Sequence, residues 1–85
     1  MELKHRIVLD ICYDYATAHS GNFKDGFEEV LTEIEKVIII NGDVEKRLNE
    51  LEEKYNHPDG DEFYIGASSA IDIFREELTK YGGGE

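Results

Sequence analysis

Phe23, Phe27, Val30, Leu31, Ile34, Val37 and Ile38 fall at i, i+4, i+7, i+8, i+11, i+14 and i+15. That spacing puts them on one face of a helix and predicts an amphipathic helix over residues 23–39. Asn22 is placed to cap it, and Glu28 and Glu29 sit near its start, where the helix dipole favours negative charge. Gly26 in the first turn is a mild cost. Asn41-Gly42 ends this helix and Asp43 caps the next. Val44, Leu48, Leu51 and Tyr55 then repeat at helical spacing, predicting a second helix over 44–55 whose apolar stripe is narrow and whose other faces are charged. Pro58 stops it.

Residues 61–65 are too short to classify alone; one helical turn or a short extended piece both fit. Ser68 or Ser69 is expected to cap a last helix through Tyr81, with Ile71, Phe74 and Leu78 facing inward. Gly82, Gly83 and Gly84 end it, so residues 1–81 are expected to form a single domain and 82–85 a flexible tail. The first twenty residues read two ways. Leu3, Ile7, Ile11, Tyr15 and Ala18 make a helical stripe, yet Leu3, Ile7, Leu9 and Ile11 nearly alternate with Lys4, Arg6 and Asp10 as a strand would. Length and the Ala16-Thr17-Ala18 continuation favour helix. The fold class expected is all-α: a small four-helix bundle, distorted antiparallel, with a helical N-terminal extension.

Eighty-five residues give one domain with little core to spare, and 40 % apolar residues is too many for a disordered acidic tail. A chain this short has little room for a large catalytic cleft. The single cysteine, Cys12, makes no intramolecular disulfide, and the longest apolar run, Val37 to Ile40, is far short of a membrane span. A cytoplasmic setting without membrane contact is expected.

Charge narrows the range of partners. The formal net charge is −11, and residues 28–62 contribute −8 of it, with twelve Asp and Glu against four Lys and Arg. Direct binding to nucleic acid is disfavoured, because affinity for phosphates comes from cations. A basic protein partner is favoured, with electrostatic steering at low salt. An acidic surface kept only for solubility is the plainer alternative.

Little in the chain suggests catalysis. His5, His19 and His57 stand at no metal-binding spacing; Cys12 and His19 are i, i+7 but supply only two ligands where a closed zinc site needs four. Reading Asp59-Gly60-Asp61 as a calcium loop puts Tyr55 first and Gly66 twelfth, where acidic residues are required. Ser68-Ser69 has no partnered His. No metal, cofactor or enzymatic activity is expected. The aromatic segment Phe63-Tyr64-Ile65 is more informative. Three consecutive large residues cannot all face one core, so with Phe63 directed inward, Tyr64 or Ile65 becomes available as an interface anchor beside acid.

The run Leu51-Glu52-Glu53-Lys54-Tyr55-Asn56-His57-Pro58-Asp59-Gly60, followed by Asp61-Glu62-Phe63-Tyr64, resembles the immunity proteins of E-group colicin and S-type pyocin nucleases. Those proteins carry an acidic second helix ending in a Glu-Glu pair, a His-Pro-x-Gly turn, and an Asp and two tyrosines on a one-turn third helix. The resemblance spans roughly residues 23–81. Ile65 stands where the second tyrosine is expected, Gly66 replaces the following proline, and one residue is missing between Gly60 and Asp61. The resemblance implies a bacteriocin immunity protein, toxin–antitoxin-like in action, that binds and inhibits a basic nuclease toxin domain. Carried over by position, Val44, Leu48 and Glu52 would set specificity, Glu45 and Asn49 would flank them, and Asp61 and Tyr64 would match the Asp and the first Tyr of the shared anchoring site; Ile65, from the aromatic segment, is a further partner-binding candidate. The free protein is expected to be monomeric. A general acidic helical interaction module or nucleic-acid mimic is the alternative; a small carboxylate-using or metal-dependent catalyst is a more distant one.

Overall fold

The computed structural model describes residues 3–56 and 60–82. The described residues fold into four helices: α1 (Leu3–Ala16), α2 (Gly21–Ile39), α3 (Val44–Tyr55) and α4 (Glu62–Gly82). There is no strand among the described residues. Consecutive helices run antiparallel, as short connections require. Tyr15 stacks near Phe27 while His19 meets Phe23, Arg47 reaches Glu33 while Tyr55 reaches Glu29, and Asn49 meets Arg75 while Tyr55 meets Ser68. It follows that α2 and α4 run in the same direction, and they approach most closely near their N-termini.

Two glycines permit that approach. A Cβ on Gly26 would overlap the carbonyl oxygen of Phe63, and a Cβ on Gly66 would overlap the carbonyl oxygen of Phe23. Gly26 therefore does more than weaken the first turn. Together with Gly66 it lets the two helix backbones touch. Around this crossing the core is filled by Phe27, Leu31, Ile34 and Phe74, closed from one side by Val8, Leu9 and Cys12 of α1 and from the other by Leu48 and Leu51 of α3.

The α2–α3 turn follows the residues. Asn41 takes φ 58°, the left-handed conformation that Asn tolerates, so that Gly42 N donates to Val37 O at 2.8 Å and Asn41 N to Ile38 O at 3.0 Å. Asp43 then caps α3, its side chain accepting from Lys46 N at 3.0 Å. Residues 44–55 form the second helix expected of them.

Three expectations need correcting. The buried face of α1 is Val8, Leu9, Cys12 and Ala16; Ile7 and Tyr15 are exposed, and Ala18 lies beyond the helix end. Apolar residues occur on both sides of this helix, so its own periodicity does not fix its rotation; packing against α2 and α4 does. The N-cap of α2 is Ser20, with no side-chain cap bond, because the helix begins two residues earlier than expected, at Gly21 with φ 68°. Ser68 and Ser69 do not cap a last helix, nor is there a separate one-turn helix at 61–65. A single helix starts at Glu62, with the Asp61 side chain accepting from Phe63 N at 3.0 Å and from Tyr64 N at 3.4 Å. The small residues Gly66 to Ala70 continue the helix because α2 packs tightly along them. The expected turn at His57, Pro58 and Asp59, and the tail beyond Gly82, lie outside the described residues.

Candidate functional site

Helix α3 divides cleanly. Val44, Leu48, Leu51 and Tyr55 are buried, while Glu45, Asn49, Glu52 and Asn56 are exposed at i, i+4, i+7 and i+11. The first set anchors α3 to the bundle. The second makes a polar stripe whose middle faces α4, where Arg75 reaches across. Its guanidinium donates to Asn49 Oδ1 at 2.6 Å and pairs with Glu52 Oε1 at 3.2 Å. Between the helices lies a recess of about 200 Å³ lined by Glu52, Asn56, Ser68, Ile71 and Asp72. Its lining is mainly polar, with Ile71 the one apolar residue and Glu52 and Asp72 its two carboxylates.

The residues singled out from sequence separate into three groups. Val44 (4 % exposed) and Leu48 (0 %) are core side chains. They cannot serve as an outward specificity face, because the stripe that holds α3 to α2 and α4 consumes them. Glu45, Asn49 and Glu52 share the exposed stripe. Asp61, Tyr64 and Ile65 cluster at the start of α4: Asp61 caps the helix, Tyr64 is half-buried, and Ile65 is 52 % exposed. Tyr64 lies edge-on to Phe63, ring centroids 5.7 Å apart, and within 6.2 Å of the Tyr55 ring. Tyr55 thereby links the end of α3 to the aromatic start of α4.

Electrostatics fix the back of α3. Tyr55 is buried and its hydroxyl donates to Glu29 Oε2 at 2.6 Å; burial first, and the adjacent carboxylate second, push its pKa up to about 12. Arg47 donates to Glu33 Oε1 at 2.6 Å and to Glu50 Oε1 at 3.1 Å. Hydrogen bonds from Arg47 and then from Lys36 hold the Glu33 carboxyl below the usual range. Ser68 Oγ donates to Tyr55 O at 3.2 Å, satisfying a carbonyl at the α3 terminus.

Arg75 and Asp72 were not singled out from sequence, and Ser68 was read only as a helix cap. Arg75 follows Phe74 as an ordinary helix-flank cation, and only the register of α4 against α3 turns it into the partner of Asn49 and Glu52. No group of three His, Cys, Asp or Glu converges to hold a metal among the described residues. Cys12 is buried, and burial pushes its thiol up to about 12, so it offers no nucleophile near neutral pH. No helix among the described residues is long and apolar enough to cross a membrane. No protein-family model, curated protein or solved structure matches the chain.

Proposed function

We propose that this chain is a protein-interaction module whose exposed α3 stripe and adjoining α4 start bind a basic protein, and that its specific action is inhibition of a basic nuclease domain. The observation that carries the reading is the division of α3. Four apolar residues hold the helix, leaving Glu45, Asn49 and Glu52 exposed on its other side beside a half-buried Tyr64 and an exposed Ile65. Carboxylates around an apolar anchor suit a partner surface rich in Lys and Arg. Arg75 restrains Asn49 and Glu52 before binding, which lowers the entropy lost on docking. With a nuclease as partner, the docked acidic face would repel nucleic acid from the cleft. The inhibitor itself needs no cofactor.

Inhibition assays against purified colicin-type DNase and RNase domains test this. Stoichiometric inhibition of one domain, lost in Glu45→Lys/Glu52→Lys, is the expected result. Full nuclease activity across the set at saturating chain concentration would reject the nuclease target. One observation favours a broader second reading, an acidic module or nucleic-acid mimic: with Val44 and Leu48 buried, the outward face is charged and polar, which suits several basic partners. Comparable binding to unrelated basic proteins at physiological salt would support that reading over selective inhibition.

A further inference from the structure

Opposite the α4 side of α3 lies a patch of different character. Ile39 and Ile40 end α2 at 67 % and 75 % exposed, the most exposed large apolar side chains among the described residues. Beside Ile40 is a recess of about 290 Å³ lined by Val37, Gly42, Asp43, Lys46, Arg47 and Glu50. Around it Lys36, Lys46 and Arg47 are set against Glu33, Asp43 and Glu50, so the local formal charge is zero on a chain of net charge −11. Arg47 and Lys36 are engaged with Glu33, and Arg47 also with Glu50. The Lys46 side chain is exposed and its ammonium makes no ion pair among the described residues.

We propose that this patch is an interface between two copies of the chain, related by a two-fold axis crossing α3 between Lys46 and Glu50. Those residues are one helical turn apart on one face. A two-fold perpendicular to the helix sets α3 antiparallel to its copy and places each Lys46 ammonium opposite the other copy's Glu50 carboxylate. The exposed Ile40 side chains then border this contact at its two ends. The patch is self-complementary in charge. Elsewhere the exposed carboxylates make two copies repel, and the Glu45–Asn49–Glu52 stripe, turned toward α4, stays open to a basic partner. A bundle only 36 × 25 × 23 Å across offers a small contact, below about 1,200 Å² in total, so association is weak and concentration-dependent. This differs from the monomer expected from sequence.

Sedimentation equilibrium from about 10 µM to about 1 mM chain, at about 0.15 M salt, tests the interface. The mass should rise from the monomer's 9.7 kDa toward twice that value. Ile40→Glu should remain monomeric with an unchanged helical spectrum and melting curve. Lys46→Glu should weaken association at least about tenfold, and Lys46→Glu/Glu50→Lys should restore it. A wild-type mass that stays monomeric at about 1 mM, or an Ile40→Glu variant that associates as well as wild type, overturns the interface. A charge swap no stronger than Lys46→Glu alone overturns the two-fold pairing.

Discussion

The α2–α4 crossing and α3 are held by opposite means. Where α2 meets α4, side chains are removed: Gly26 and Gly66 bring backbone against backbone, and the surrounding Phe27 and Phe74 are fully buried. By contrast α3 stands off on a single stripe of apolar residues, helped by the Tyr55–Glu29 hydrogen bond and the Arg47–Glu33 pair. The crossing tolerates no added atom. On α3, seven of the twelve residues are exposed. A bundle with one rigid pair and one lightly attached helix can spend that helix's surface on a partner.

The largest effect is expected at the crossing. Gly26→Ala and Gly66→Ala each place a methyl into a carbonyl oxygen of the facing helix, so the backbones must separate. Each should destabilise the fold by about 3 kcal/mol in chemical denaturation, despite the gain in helix propensity. Gly21→Ala is the control. No atom lies within 4 Å of its added Cβ, and only the left-handed φ of 68° opposes it, so about 1 kcal/mol is expected. Equal losses at Gly26 and Gly21 would remove the contrast between crossing and surface.

Leu48→Ala empties a buried position on the inner stripe of α3 and should cost about 3 kcal/mol. Glu52→Ala, one residue beyond Leu51 on the outer stripe, loses only an exposed pair with Arg75 and should stay within about 0.5 kcal/mol. A thermal melt of both variants measures how sharply α3 divides. If both fall by the same amount, the outer stripe is structural and is not free for binding.

The inner stripe was legible in the sequence because a 3.6-residue period needs no tertiary knowledge. Asp43 and the Asn41-Gly42 stop were legible for the same reason: caps and left-handed positions are local chemistry. The α1 face was not, since Ile7, Ile11 and Tyr15 compete with Val8, Leu9 and Cys12 and only neighbouring helices decide between them. Ser68 and Ser69 looked like caps, yet they sit inside α4, where the crossing with α2 overrides local capping preference. Of the candidate site, the exposed carboxylates could be read from their place between apolar residues. Arg75 could not, because its link to Asn49 and Glu52 depends on helix register.

A smaller effect tests how α3 ends. Tyr55→Phe deletes the hydroxyl that donates to Glu29 and should cost about 1.5 kcal/mol. Tyr55 also carries a pH signature. Its folded pKa, about 12, exceeds its usual value of 10.0, so its contribution is complete below pH 10 and is lost as pH rises toward 12. Stability measured across that window should fall less steeply in Tyr55→Phe than in wild type; parallel curves would remove Tyr55 as the source. Smallest of all, Glu33→Gln should cost no more than about 0.5 kcal/mol, since the pair with Arg47 is partly solvated. Because the folded Glu33 carboxyl lies below its ordinary value of 4.5, that contribution is present above pH 4.5 and disappears as pH falls through the depressed value.

The most direct test of α3 and the α4 start as a binding face is a paired measurement on Tyr64→Ala: its melting temperature alone, and its affinity by calorimetric titration with the basic nuclease domain identified by the proposed inhibition assays. Tyr64 is half-buried, packed against Tyr55 and Phe63 but not enclosed. The account predicts a loss of about 2–4 kcal/mol in binding, the range of an interface anchor, with a smaller loss in folding. A variant that melts far below wild type while its folded fraction binds with unchanged affinity would contradict it.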